Sequence, residues 1–169
     1  MQDLNINDIF VARGKLEIPE SILSISQGLQ GSGLLRLDIS NNAVNVYGAE
    51  NLLQYLKQAS TLQVLLISNC GLGPLGVAHI AEGLKGTPHL RIFSIGRNRM
   101  ENPGILSISN SLQYVPLLEE LYVYQNTLKE EGLKELFKHL RIHCKNVTSL
   151  DINDNFVRKT ATTELSLLL

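Results

Sequence analysis

The chain has no tryptophan, and its two cysteines, Cys70 and Cys144, stand far apart and outside any C-x-x-C spacing. That excludes a disulfide framework and a four-cysteine zinc cage, so both thiols are expected to be reduced. Lysine and arginine number 15 against 16 aspartates and glutamates, a formal net charge of -1 with no polybasic run. Whole-chain attraction to nucleic acid or to an anionic membrane is therefore not expected. No apolar stretch approaches the ~18 residues needed to cross a bilayer. The opening residues, MQDLNINDIFVARGK, lack a basic start followed by an apolar run, so the chain is expected to be cytoplasmic. The Asn146-Val147-Thr148 sequon then carries no meaning.

What the chain has is apolar bulk and a repeat. Hydrophobic residues make up 44% of 169 positions and charged residues 18%, enough for one soluble, leucine-rich domain spanning residues 1–169. The frame L-x-x-L-x-L-x-x-N-x-L fits LLRLDISNNAV from Leu34, LQVLLISNCGL from Leu62, LRIFSIGRNRM from Leu90, LEELYVYQNTL from Leu118 and VTSLDINDNFV from Val147. Successive starts differ by 28, 28, 28 and 29 residues. A further step of 28 back from Leu34 reaches Ile6, where INDIFVARGKL keeps the apolar positions and has Gly14 for the asparagine. Six strand-turn-helix units follow, the arrangement of an α/β leucine-rich-repeat solenoid with a parallel sheet on its concave face.

Small residues recur fourteen positions into the units, at Gly48, Gly76, Gly104, Gly132 and Ala161. Apolar pairs at i,i+4 follow them (Leu52 and Leu56, Ile80 and Leu84, Ile108 and Leu112, Leu136 and Leu140, Leu165 and Leu169), so each helix buries one face. The asparagines closing the strands, Asn42, Asn98, Asn126 and Asn155, are expected to bond main-chain groups of neighbouring turns. Cys70 takes that place in one unit and is read as a buried structural residue.

Three patterns imitate chemistry. GLGPLG, from Gly71 to Gly76, is a literal G-x-G-x-x-G between strand and helix, yet Pro74 removes an N–H donor that a phosphate cradle needs. His139 and His143 lie four apart beside Cys144 without further donors, and read as surface or packing histidines. Glu130, Glu131, Lys134, Glu135 and Lys138 read as solvated pairs on an outer helix face. No catalytic set, metal site or cofactor site emerges, so the chain is not expected to be an enzyme.

The residues preceding the asparagine position, Arg13, Asn41, Asn69, Arg97, Gln125 and Asp154, are all polar and form a column along one lip of the sheet. Strands ~4.8 Å apart would bring Asn69 within about 5 Å of Arg97 along this edge.

Four blocks, FVARGKLEIPESI, LLISNCGLGP, FSIGRNRMENPG and LDINDNFVRKTA, resemble in order and spacing the repeats of the Ran GTPase-activating proteins. The resemblance implies a protein that binds the GTP form of the small GTPase Ran and speeds hydrolysis by positioning Ran's own residues, without an arginine finger. GTP and magnesium would belong to the partner, and the chain would hold no cofactor. It implies Asn69 as the GTPase-positioning residue. Arg13, Lys15, Asn41, Arg97, Arg99, Glu101 and Asn102 would then make partner contacts. The second unit departs from the family pattern: Asn41 replaces an aspartate, and a Gly-Pro turn is missing. The alternative is a ribonuclease-inhibitor-like repeat module that binds another protein and activates nothing. The apolar ending ELSLLL closes without a polar cap, leaving a fragment, self-association through that end, or a shortened homologue as open readings.

Overall fold

The computed structural model describes residues 1–10, 14 and 17–169. Six strands alternate with six helices: β1 (Asp3–Asn5), α1 (Glu17–Gly28), β2 (Arg36–Asp38), α2 (Asn45–Leu56), β3 (Val64–Leu66), α3 (Gly73–Gly83), β4 (Ile92–Ser94), α4 (Glu101–Ser111), β5 (Glu120–Tyr122), α5 (Glu130–His143), β6 (Ser149–Asp151) and α6 (Lys159–Leu168). The strands form one parallel sheet in sequence order, and the helices pack on their sequence neighbours. This is the leucine-rich-repeat solenoid expected from the periodicity.

Each strand is three residues long because one alternation is enough: its central side chain points to the helices and the flanking ones to the open face. Leu37, Leu65, Phe93 and Leu121 are the central residues of β2 to β5 and are fully buried. The helices cover them with the expected i,i+4 stripes, Leu52 and Leu56, Ile80 and Leu84, Ile108 and Leu112, Leu136 and Leu140, all buried. The small residues mark close approach of turn and helix. A Cβ on Gly104 would fall 2.7 Å from Met100 Cβ, and one on Gly132 2.6 Å from Asn102 Oδ1. In the last unit burial fades: Leu150 and Leu165 are half-buried, and Leu167 is exposed.

The first unit departs from the expected register. From β2 to β6 the strands step by 28, 28, 28 and 29 residues, as Arg36 pairs with Val64, Val64 with Ile92, Ile92 with Glu120 and Glu120 with Ser149. Asp3 pairs with Arg36, however, a step of 33. The strand of unit one is thus centred on Leu4 and lies five residues before the place that a uniform period gives. From strand start to helix start is 14 residues in unit one (Asp3 to Glu17), against 9 in unit two (Arg36 to Asn45). The five extra residues fall between strand and helix. Ile6 and Ile9 satisfy the apolar frame in the wrong phase, and only pairing with β2 separates the two registers.

Candidate functional site

Behind the sheet edge runs a ladder of buried amides. Asn98 Nδ2 donates to the carbonyls of Ile67, Ile95 and Gly96 at 2.8, 3.1 and 3.1 Å, while its Oδ1 accepts the Cys70 amide at 2.9 Å. Asn126 repeats the pattern toward Ile95, Val123 and Tyr124 and accepts the Asn98 amide at 2.8 Å. Asn155 accepts the amides of Asn126 and Leu128. Cys70 supplies half of this role: its thiol donates to the Ile39 carbonyl at 3.3 Å, but it brings no acceptor oxygen. Burial pushes its pKa up to about 12, so the thiol stays protonated and unreactive.

The polar lip exists with a different head. Asp8, Asn41, Asn69, Arg97, Gln125 and Asp154 all adopt left-handed backbone, φ 51 to 59°. The amides of Asp8, Asn41, Asn69 and Arg97 donate to Ser40, Ser68, Gly96 and Tyr124 carbonyls of the next unit at 2.9 to 3.0 Å. Asp8 therefore opens the column, a consequence of the 33-residue first step. Arg13 and Lys15 lie outside the described residues, so the expected column of Arg13, Asn69 and Arg97 is corrected at its first member. The side chains are partly committed to one another. Asn69 Nδ2 donates to Asn41 Oδ1 at 2.9 Å, Asn41 Nδ2 to Asn7 Oδ1 at 3.3 Å, and Gln125 Nε2 to Asp154 Oδ2 at 2.8 Å. Arg97 is exposed, with no side-chain partner among the described residues.

The GRNRMEN block resolves into turn geometry. Arg99 and Glu101 are exposed and left-handed, φ 52 and 53°, the positions that Gly71 and Gly73 occupy one unit earlier at φ 62 and 61°. The glycines of the false dinucleotide fingerprint thus serve backbone conformation. Asn102 is a joint between repeats: its Oδ1 accepts the Lys129 amide at 2.9 Å and its Nδ2 donates to Glu131 at 3.2 Å. Glu130, expected to be a solvated charge, accepts the Thr160 amide at 2.7 Å in the first turn of α6. That contact lowers its carboxyl pKa, the Thr160 hydroxyl contributing most.

The rings of His139 and His143 lie tilted to each other with centroids 5.7 Å apart, and burial, then the His143 charge, lowers the His139 pKa. No group of three metal-ligating side chains occurs among the described residues. Cys144 is buried against the Leu112 and Val115 carbonyls, its pKa pushed by burial to about 12.

The residues that the motif reading passed over lie on the open face of the sheet. Flanking the buried central residues are Arg36 and Asp38 on β2, Val64 and Leu66 on β3, Ile92 and Ser94 on β4, Glu120 and Tyr122 on β5, and Ser149 and Asp151 on β6. Val64, Leu66 and Ile92 form an apolar centre, half-buried although no element among the described residues covers that side. Tyr124 extends it by lying on Gly96, where a Cβ would meet the ring at 2.4 Å. Apolar letters at solvent-facing strand positions were the available signal.

No family model matches the chain, and no curated protein sequence matches it. Its structure is similar to leiomodin-1 actin-binding site 2, with a TM-score of 0.68 at 14% identity over 89% of this chain and 86% of that one. It is also similar to the tropomodulin C-terminal domain of Caenorhabditis elegans, with a TM-score of 0.67 at 14% identity over 89% and 90%. The yeast Rad7–Elc1 complex matches at 0.52 and 17% over 92% of this chain and 36% of that one. At such identities these likenesses establish the leucine-rich-repeat fold.

They overturn the Ran reading. Two structures similar to the chain over most of both lengths are a leiomodin and a tropomodulin domain, neither of them a Ran GTPase activator. One of the four blocks behind the resemblance, FSIGRNRMENPG, has a local cause, since Arg99 and Glu101 fill turn positions and Asn102 ties two helices together. Ran as partner and GTPase activation as function are accordingly withdrawn.

Proposed function

We propose that the chain is a leucine-rich-repeat protein-binding module that grips its partner on the open face of the sheet, carries no reaction of its own and needs no cofactor. The observation that carries this reading is the apolar centre Val64, Leu66 and Ile92, placed where the repeat would otherwise put polar side chains. An uncovered apolar patch rimmed by polar groups marks a recognition surface. The leiomodin-1 domain with the same architecture is described as an actin-binding site, which makes actin the first partner to try. Two unpaired, buried thiols suit a reducing compartment, and the proposal places the module in the cytoplasm.

A photo-crosslinking side chain at Leu66, compared with one at Leu75 on α3, which is 72% exposed, tests this. The expected result is a protein captured from Leu66 and not from Leu75, with capture lost in an Ile92→Asp background. Capture from neither site, or from both equally, overturns the reading. Co-sedimentation with actin filaments decides whether that protein is actin.

A further inference from the structure

Resting on the concave-face reading above, we propose that the occupant of this face is an extended, basic segment of a partner protein. Its apolar side chains would cover Val64, Leu66 and Ile92, and a lysine or arginine would lie among Tyr122, Glu120 and Asp151. Charge complementarity points to this occupant, on a sheet face that no element among the described residues covers.

Carboxylates at the two ends of the face differ in their partners. At the β1–β2 end Arg36 stands 3.6 Å from both Asp3 and Asp38, so one cation offsets part of their charge. On the outer margin Glu119 is paired with Arg91. At the β5–β6 end Glu120, Asp151 and Asp154 have no cationic partner among the described residues. Each is instead oriented by a neutral donor: Glu120 Oε2 accepts the Tyr122 hydroxyl at 2.5 Å, Asp151 Oδ1 the Asn153 amide at 2.9 Å, and Asp154 Oδ2 Gln125 Nε2 at 2.8 Å. Neutral hydrogen bonds fix the carboxylates in place and leave their charge uncancelled. The Tyr122 hydroxyl registers the resulting field, its pKa raised first by the bond to Glu120, with burial and the charges of Glu120 and Asp151 adding to it.

A cation is the complement of such a site for two reasons. Fixed carboxylates attract it without reorganising, and the rings of Tyr122 and Tyr124 offer faces to a guanidinium or ammonium. The apolar centre is adjacent: Ile92 pairs in register with Glu120, and Glu120 with Ser149. Neighbouring strands are ~4.8 Å apart and an extended chain advances ~3.4 Å per residue. Side chains two apart in a crossing segment, roughly 7 Å, can therefore reach the apolar centre and the acidic end together.

The probes are two fluorescein-labelled peptides of about eight residues, the extended length that crosses six strands ~4.8 Å apart. They share a leucine spacing and differ in carrying arginine or glutamate between the leucines. Anisotropy titrations should show the arginine peptide binding and the glutamate peptide not binding. Glu120→Gln with Asp151→Asn should weaken the arginine peptide about tenfold while far-UV circular dichroism and the urea midpoint hold. Glu120→Lys with Asp151→Lys should invert the preference. Equal binding of the two peptides, no binding of the arginine peptide, or no loss in the neutral variant overturns the proposal. Should Leu66 still capture a protein in that event, the recognition face stands and only its basic partner is wrong. Should Leu66 capture nothing, the face itself is not a binding surface, and both readings fall.

Discussion

The main-chain amide of Cys70 donates to Oδ1 of Asn98 at 2.9 Å, across a separation of 28 residues. One side chain thus joins unit three to unit four, and Asn98 Nδ2 also donates to the carbonyls of Ile67, Ile95 and Gly96. Asn98 is fully buried, so Asn98→Ala would leave the Cys70 amide and the Ile67 carbonyl without their partner in a site closed to water, whereas the Ile95 and Gly96 carbonyls keep Asn126 Nδ2 and the Asn69 amide. Orphaned buried donors and acceptors cost about 1–3 kcal/mol each when relaxation cannot reach them. Urea unfolding should show Asn98→Ala destabilised by roughly 3 kcal/mol, and a loss below ~0.5 kcal/mol would mean that the ladder is not a structural element.

The ladder has a gap at Cys70, which donates its thiol to the Ile39 carbonyl but offers no oxygen to the amides of unit two. Cys70→Asn restores the residue found at Asn42, Asn98, Asn126 and Asn155, at nearly the same volume. The variant should gain about 1 kcal/mol, the usual net value of one added hydrogen bond. A rise in the urea midpoint at unchanged slope checks it; a fall would show that unit three is shaped around sulfur.

Alkaline stability follows from the buried acids. Cys70 and Cys144 have folded pKa values of about 12 against 9.0, and Tyr55 about 12 against 10.0, burial being the first cause in each. A raised pKa means that the unfolded chain releases its proton first. The stabilisation these groups give is therefore complete below pH 9.0 and is lost as pH rises toward about 12. Each thiol should remove up to about 1.4 kcal/mol of stability per pH unit in that window. Denaturation midpoints should hold up to about pH 9 and fall from there to pH 11, less steeply in Cys144→Ala; parallel pH slopes in the two proteins would rule the thiol out as the cause.

Much of this fold was legible because each unit constrains its neighbours. The steps of 28 and 29 from Leu34 onward are the strand register itself, and the buried faces of α2 to α5 follow the apolar stripes. The first unit was not legible. Ile6 and Ile9 meet the apolar frame in one phase and Leu4 and Ile6 in the other, and the choice rests on hydrogen bonds to β2 that a linear pattern does not contain. The site was harder to see. Unusual polar letters in GRNRMEN looked like recognition but occupy left-handed turns and a helix joint, whereas Val64, Leu66 and Ile92 belong to no motif and lie on the open face. Composition marks what is unusual, and only the alternation of the strand says which face it is on.

The left-handed turns supply a last test that separates conformation from recognition. Residues 71 and 73 are glycine, while the same positions one unit later are Arg99 and Glu101 at φ 52 and 53°. An ordinary L-residue in that region costs about 1–2 kcal/mol relative to glycine, offset by roughly 0.5–1 kcal/mol of extra unfolded-state entropy that glycine brings. Neither side chain has a partner among the described residues, so removing it forfeits no contact within the chain. Arg99→Gly with Glu101→Gly should therefore raise stability by up to about 1 kcal/mol, and capture from Leu66 should be unchanged. A stable variant that no longer captures would return the GRNRMEN block to the binding surface by way of its side chains. A destabilised variant would show instead that Arg99 or Glu101 holds the fold through an interaction absent from this conformation.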